Sequence, residues 1–130
     1  MSSASAPGRR LLVVDDNEDV ARAFALLLTA LGHYAEFVTH AREAIDAARR
    51  IDPEIAFIDI GMPEMDGLEL AARMRSDPRL KGVCLVAVTG YDEPGDRVRS
   101  RQAGFDAHIR KPVDPDLVAS ILAQFPRRGP

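Results

Sequence analysis

The chain has 130 residues, of which 46% are hydrophobic and 28% charged, the size and balance of one globular domain. Its formal net charge of −3 gives no electrostatic reason to expect direct binding of nucleic acid, and no apolar run approaches the roughly 20 residues that span a bilayer. The one cysteine, Cys84, excludes an internal disulfide and suits a reducing compartment, so we expect a cytoplasmic protein.

Short apolar runs alternate with helical patterns along the first half of the chain. The segment RLLVVDD predicts a buried strand that ends in two acids, and apolar residues between Val20 and Leu31 then recur at helical spacing. YAEFV predicts a second strand, and THAREAIDAARR predicts a second helix with Thr39 at its N-cap. EIAFIDI predicts the third strand, and the helix after it is expected to begin near Asp66.

The second half continues the alternation. VCLVAVTG predicts a fourth strand that is apolar almost throughout, and FDAHIR predicts a short fifth strand. Asp114 and Pro115 are typical of the N-cap and first residue of a last helix. Between the last two strands, YDEPGDRVRSRQAG is mostly polar, with Val98 and Ala103 among its few candidate inward residues. Its helix is therefore expected to pack weakly.

Five strands that alternate with helices predict an α/β fold, in which a parallel sheet is covered on both faces. The continuous apolar runs place the first, third and fourth strands at its centre. We take residues 9–125 as the domain, residues 1–8 as a flexible leader and residues 126–130 as a C-terminal tail. In such a sheet, ligands bind in the crevice outside the carboxyl ends of the strands.

Five polar residues stand at those carboxyl ends: Asp15, Asp16, Asp59, Thr89 and Lys111. Three carboxylates close together repel one another unless a cation neutralises them, and Mg²⁺ prefers such oxygen ligands. A hydroxyl and an ammonium beside the metal suit a phosphoryl group, and a carboxylate can attack phosphorus to form an aspartyl-phosphate. Asp59 is the best candidate nucleophile because it lies between the acidic pair and Lys111.

A purely structural interpretation of single residues is also available. An isolated aspartate at a strand end usually caps a helix, and DDNED can cap the first helix and favour its dipole. The complete set of five groups at the ends of alternating strands is much harder to obtain by chance. The set therefore favours one shared site.

The motifs LLVVDDNED, FIDIGMPEMDG, VAVTG and HIRKPVD, in that order and spacing, resemble the receiver domain of two-component response regulators over about residues 9–125. DIGMPEMDG with KPVD is most similar to receivers that stand alone or are attached to hybrid sensor kinases. The resemblance implies a flavodoxin-like (CheY-like), doubly wound five-stranded parallel sheet in the order 2-1-3-4-5. About five helices would lie on its two faces.

The resemblance also implies the roles of the site residues. Asp59 would be the phosphoacceptor, and Asp16 and Asp59 would bind Mg²⁺ through their side chains. Asp15 would help through water or hydrogen bonds, and the backbone carbonyl of Gly61 would be the remaining protein ligand. These expectations leave the lysine and the hydroxyl to contact the phosphoryl group.

Lys111 would pair with one phosphoryl oxygen, while Thr89 would move to hydrogen-bond another. The Lys111–Pro112 peptide bond would be cis. The donor would be a phosphohistidine on a sensor histidine kinase or on a histidine phosphotransfer protein. Phosphorylation would then change the affinity for a downstream protein through the surface formed by the fourth helix, the fifth strand and the fifth helix.

One position departs from the family pattern. The family usually has Tyr or Phe three residues before the lysine, where the ring acts as a buried-or-exposed switch, and this chain has His108. A smaller polar ring is expected to couple less strongly to Thr89, and its charge responds near neutral pH. A strand histidine with no task in the switch is the alternative.

The sequence favours a phosphorylation-dependent signalling switch that catalyses only its own phosphotransfer and slow autodephosphorylation, and is therefore not an enzyme. One alternative is an aspartyl-phosphate phosphohydrolase, but DDNED lacks the Asp-x-Asp spacing of the haloacid-dehalogenase-like fold. Another is a partner-binding pseudo-receiver that is not phosphorylated. Such domains tend to lose the acidic pair, the phosphoacceptor aspartate or the lysine, and all of these are present here. The sequence leaves open whether the domain stands alone or belongs to a longer chain.

Overall fold

The computed structural model of the chain describes residues 8–61, 67–90 and 94–125. Across these ranges, five strands alternate with five helices. In chain order they are β1 (Arg10–Val14), α1 (Glu18–Ala30), β2 (Tyr34–Val38), α2 (Ala41–Ile51), β3 (Ile55–Asp59), α3 (Gly67–Ser76), β4 (Cys84–Thr89), α4 (Pro94–Ala103), β5 (Ala107–Arg110) and α5 (Pro115–Gln124). Each described helix is too short or too polar to cross a lipid bilayer.

The strands form one parallel sheet in the order β2-β1-β3-β4-β5, which confirms the predicted topology. Strands β1, β3 and β4 lie at the centre, and nearly all their residues are buried. Alternate side chains of a strand face opposite sides of the sheet, so a strand covered on both sides must be apolar throughout. The register pairs Val14 with Ile58 and Ile58 with Ala87, which brings the carboxyl ends of the three strands to one edge.

Two hydrophobic clusters cover the two faces of the sheet. One packs α2 and α3 against the face that carries Leu12 and Ala56. The other packs α1 and α5 against the face that carries Phe57 and Ile109. In the second cluster the rings of Phe24 and Phe57 lie with their centroids 4.9 Å apart. Because helices cover both faces of the sheet, polar side chains concentrate at the strand ends.

The opposite edge of the sheet holds a buried ion pair. Arg9, just before β1, and Glu54, just before β3, lie 3.0 Å apart and are 7% and 5% exposed. The Arg9 guanidinium also donates to the backbone carbonyl of Leu122 near the end of α5. These contacts join the starts of β1 and β3 to α5, at the end of the sheet away from the carboxyl ends of the strands.

The helix ends agree in part with the sequence analysis. The Asp114 side chain caps α5, and Pro115 is its first residue, as predicted. The prediction of Thr39 as an N-cap is wrong, because α2 begins one residue later with His40 in the cap position and without a side-chain cap bond. Asp66 lies outside the described residues, as do residues 1–7 of the leader and the tail 126–130.

The inner side of α4 differs from the prediction. Val98 is 57% exposed and does not face the core, so that expectation is wrong. Among residues 98–103, Ser100 is the buried one, at 1% exposure, and Ala103 packs partly buried against the α2–α3 cluster. Residues three apart share one side of a helix, so Ser100 and Ala103 together define the face that α4 turns inward.

Candidate functional site

The turn after β1 presents two adjacent aspartates in different environments. The backbone N–H of Asp15 donates to the Val38 carbonyl at 3.2 Å, which continues the β1–β2 pairing by one residue. The Asp15 carboxylate accepts from the backbone N–H of Asn17 at 2.9 Å and is buried, whereas Asp16 is exposed. Asn17 caps α1 by accepting from the N–H of Val20. The first helix is therefore capped by Asn17, and both aspartates remain at the site.

Asp59 is the last residue of β3 and is only 8% exposed. One of its carboxylate oxygens, Oδ1, accepts from the backbone N–H of Gly61 at 2.9 Å. The next residue, Ile60, donates its N–H to the Val88 carbonyl at 3.2 Å, so β4 still supports the chain beyond the strand end. These contacts hold the carboxylate in one orientation at the edge of the sheet.

Gly67, the first residue of α3, packs against the backbone of Asp59 and Ile60. A Cβ atom at this position would lie 2.6 Å from the Ile60 Cα and 2.7 Å from the Asp59 carbonyl oxygen. Real Cβ atoms do not approach backbone so closely, so only glycine lets the start of α3 pack against the end of β3. The sequence analysis missed this role. The signal for it is the second glycine of DIGMPEMDG, which stands where the helix begins.

The three aspartates converge as predicted. Asp15, Asp16 and Asp59 each offer a carboxylate oxygen, and these oxygens all lie within 4.8 Å of one another. The Lys111 ammonium faces them, with its Nζ 3.0 Å from Asp15 Oδ2 and 3.4 Å from Asp59 Oδ2. Four side chains from three separate strand ends therefore share one pocket.

The Lys111 ammonium is held in its charged form. Burial by itself lowers the pKa of Lys111, but the hydrogen bond to Asp15 and the charges of Asp59 and Asp15 raise it by more, so the pKa lies above its usual value. The backbone supports this position, since the Lys111 N–H donates to the Thr89 carbonyl at 2.7 Å and the Lys111–Pro112 peptide bond is cis. Three carboxylates against one ammonium leave an excess of negative charge.

Thr89 ends β4 and is 5% exposed. It stands one residue beyond Val88, the register partner of Asp59, and its own partner on β5 is Arg110. His108, two residues before Arg110, pairs with Ala87. The imidazole of His108 is partly buried, and its Nδ1 lies 3.2 Å from the hydroxyl of Ser100 on α4.

An apolar groove adjoins the pocket. It has a volume of about 640 Å³ and runs between α1 and the segment after β5, with Val20, Leu27, Pro112 and Val113 among its lining residues. Lys111 forms its boundary with the carboxylate pocket. The charged pocket therefore has an apolar neighbour at its rim.

Comparisons with known proteins agree with this geometry. A family model described as the response regulator receiver domain matches residues 11–123. The polar-differentiation response regulator DivK of Brucella anthropi is 34% identical over 114 residues, which are 87% of this chain and 93% of that protein. The chain belongs to the response regulator receiver domain family.

Solved receiver structures share the fold. The chemotaxis protein CheY4 of Vibrio cholerae superposes with a TM-score of 0.86 over 93% of this chain and 100% of that chain, at 22% identity. The receiver domain of the sensor histidine kinase PA1611 from Pseudomonas aeruginosa has a TM-score of 0.82 at 25% identity, with 91% and 97% covered. That structure has a magnesium ion coordinated in its active-site cleft.

Membership of the family defines what kind of protein this is. Receiver domains of response regulators are phosphorylation-dependent signalling switches of two-component systems, and they interact with histidine kinases and with downstream targets. In this receiver domain, the acidic cluster and the lysine lie at the edge of the sheet where ligands bind in doubly wound folds. This pocket is therefore the candidate functional site.

Proposed function

We propose that this receiver domain accepts a phosphoryl group on Asp59 from the phosphohistidine of a sensor histidine kinase or a histidine phosphotransfer protein. The observation that carries the proposal is the setting of the Asp59 carboxylate. It lies at a strand end, with a backbone N–H on Oδ1, the Lys111 ammonium near Oδ2 and two further carboxylates within 4.8 Å. Asp59 is also the central member of this group along the sheet.

The transfer needs positioning more than acid–base chemistry. An Asp59 carboxylate oxygen attacks phosphorus, and the bond between phosphorus and the donor imidazole nitrogen breaks. The imidazole leaves with the electron pair and is protonated, while Asp59 becomes an acyl phosphate. Lys111 pairs with one phosphoryl oxygen, and the Thr89 hydroxyl donates to another. Water later hydrolyses the acyl phosphate slowly, so the chain catalyses only reactions on itself and is not an enzyme in the usual sense.

The residues present fit a magnesium ion. Hard divalent cations prefer carboxylate and carbonyl oxygens, and the three aspartates bring such oxygens within 4.8 Å of one another with a net negative charge. Asp16 and Asp59 would hold the ion through their side chains, the Gly61 carbonyl would be the remaining protein ligand, and Asp15 would act through water or hydrogen bonds. When bound, the ion supplies positive charge to the phosphoryl oxygens. The magnesium in the PA1611 receiver domain supports this assignment.

The apolar groove beside Lys111 is where we place the phosphohistidine donor. Val20, at 37% exposure, and Leu27 on α1 line it together with Pro112 and Val113. A donor whose apolar surface filled this groove would bring its histidine next to the pocket and would exclude water from the transfer. The groove therefore supports a protein, and not a small molecule such as acetyl phosphate, as the natural phosphoryl donor.

The proposed switch acts on a downstream protein and works in the cytoplasm. Phosphorylation changes the affinity for a downstream protein through α4, β5 and α5, without direct binding of nucleic acid. We place the domain in the cytoplasm, because the chain's one cysteine, the half-buried Cys84, suits reducing conditions. Residues 9–125 form the switch.

An intact-mass experiment tests the chemistry. The protein is incubated with acetyl phosphate and Mg²⁺, and Asp59→Asn is treated in parallel. We expect one phosphate adduct on the wild type and none on Asp59→Asn or in the presence of a chelator. An unmodified wild type would favour the pseudo-receiver alternative, and steady release of phosphate from a small phosphate ester would favour the phosphohydrolase.

A further inference from the structure

Arg110 is the last residue of β5 and is exposed beside the candidate pocket. Its register partner on β4 is Thr89, which ends that strand at the edge of the sheet where the pocket lies. Register partners on neighbouring strands lie about 5 Å apart and turn their side chains to the same face of the sheet. The Arg110 side chain therefore starts next to Thr89, one of the residues to which we assign contact with the phosphoryl group.

Arg110 and Lys111 reach this edge from opposite faces of the sheet. Ile109 packs into the α1–α5 cluster, so Arg110 beside it faces the other side. Lys111 forms the boundary with the apolar groove, which runs along α1. A phosphoryl group on Asp59 would therefore have one of the two cations on either side of it.

The two cations differ in what they already bind. The Lys111 Nζ lies 3.0 Å from the Asp15 carboxylate and 3.4 Å from that of Asp59. Among residues 8–61, 67–90 and 94–125, no carboxylate pairs with the Arg110 guanidinium. Arg110 therefore keeps its charge for a molecule that approaches the pocket from outside.

Pairing with a carboxylate is common among the other exposed arginines of the chain. Four such pairs, each within 3.6 Å, are Arg10 with Asp52, Arg49 with Asp77, Arg50 with Glu36 and Arg73 with Glu69. A carboxylate at this distance offsets much of the field of the guanidinium. The lack of an acidic partner for Arg110 in the described part of the chain is thus not a general feature of its arginines.

The field of the pocket gives such a cation a task. Three carboxylates face one ammonium, so the pocket carries an excess of negative charge. Phosphoryl donors are anions, and this excess opposes their approach. A cation at the rim of a site offsets such repulsion and raises the rate of encounter with anions.

We propose that Arg110 attracts anionic phosphoryl donors to the pocket and thereby favours donors that carry more negative charge. It is a specificity-determining residue that acts on the approach of the donor and leaves the chemical step at Asp59 unchanged. A unit charge about 8 Å from an anion in water changes its rate of encounter about twofold, and about fivefold for a dianion. The inference rests on the proposed function, because it needs transfer of a phosphoryl group to Asp59.

Second-order rate constants of adduct formation, read by intact mass with Mg²⁺ present, test the proposal. Acetyl phosphate, a dianion at neutral pH, is compared with phosphoramidate, which carries one net negative charge there. At low ionic strength we expect Arg110→Gln to react with acetyl phosphate about two- to fivefold more slowly than the wild type. With phosphoramidate the factor should be about the square root of that value. At about 1 M salt, where the Debye length is about 3 Å, both differences should disappear.

Two further variants separate the charge from other effects. Arg110→Lys keeps the charge and should react like the wild type with both donors. Arg79→Gln removes the charge of an exposed arginine between α3 and β4, at the opposite end of the sheet, and should leave both rates unchanged.

The outcomes distinguish this inference from the proposed function. Equal rates for the wild type and Arg110→Gln would overturn the inference alone. Equal slowing with both donors that salt does not remove would also overturn it, because that result indicates a structural contact of Arg110. No adduct on the wild type with either donor would overturn the proposed function and this inference with it.

Discussion

Lys111 lies closer to Asp15 than to Asp59: its Nζ is 3.0 Å from the Asp15 carboxylate and 3.4 Å from that of Asp59. The ammonium therefore neutralises the charge of Asp15 as well as that of Asp59, the proposed phosphoacceptor. A cation in this position competes with any metal ion for the same oxygens. Its removal is expected to change metal binding in a direction that can be measured.

Lys111→Met is expected to tighten Mg²⁺ binding about tenfold, because loss of one unit charge a few ångströms from a divalent ion changes the interaction free energy by about 1.4 kcal/mol or more. Isothermal titration of each variant with Mg²⁺ measures the effect. Lys81→Met, which removes an exposed lysine, is the matched control and should leave the affinity unchanged. Weaker binding by Lys111→Met would show that the ammonium supports the metal site and does not compete with it.

Asp16, the exposed aspartate of the cluster, is expected to determine how much Mg²⁺ stabilises the folded state. A ligand at one hundred times its Kd stabilises the folded state by about 2.7 kcal/mol, so Mg²⁺ should raise the Tm of the wild type. Asp16→Asn removes one of three clustered carboxylates and should lose most of this rise. Thermal melts with and without Mg²⁺ measure the difference, with Asp19→Asn, an exposed acid of α1, as control. Equal Mg²⁺-dependent shifts in all three proteins would place the metal elsewhere.

The rule for parallel sheets explains why so much of the site could be predicted from the sequence. Strand ends that are far apart in the chain meet at one edge, so Asp15, Asp59 and Lys111 could be grouped before any distance was known. The apolar runs predicted the strands correctly because both faces of the sheet are covered, so the central strands are apolar throughout.

The missed features depend on helix phase and on close contacts. Val98 was expected to point inward because it is apolar, but a mostly polar helix does not reveal its phase, and Ser100 occupies the inner side. The need for glycine at position 67 arises from its distance to a backbone that is not adjacent in sequence. Thr39 failed as an N-cap by one residue, which is the usual uncertainty of a helix end.

Gly67→Ala is expected to destabilise the fold and to disturb the site at the same time. The new methyl group would lie 2.6 Å from the Ile60 Cα, and relief of such overpacking typically costs about 1–3 kcal/mol. Because the backbone that must move carries Asp59, the rate of adduct formation with acetyl phosphate should fall as well. Urea unfolding and intact mass measure the two effects.

Gly90→Ala is the matched control for this change. Gly90 directly follows Thr89 at the same edge of the sheet, but a Cβ there has no atom within 4 Å. We expect wild-type stability from this variant, and a loss as large as that of Gly67→Ala would mean that the effect does not come from the contact with β3.

The buried pair of Arg9 and Glu54 is expected to support stability without affecting phosphorylation. Removal of one partner leaves an uncompensated buried charge, so Glu54→Gln and Arg9→Met should each lower the free energy of unfolding by about 3 kcal/mol. The double variant should lose less than the sum of the two. Arg73→Met removes an exposed pair with Glu69 and should cost no more than about 0.5 kcal/mol. Because the buried pair lies at the edge opposite Asp59, the folded variants should form the phosphate adduct at the wild-type rate, and a slower rate would show that the two edges of the sheet are coupled.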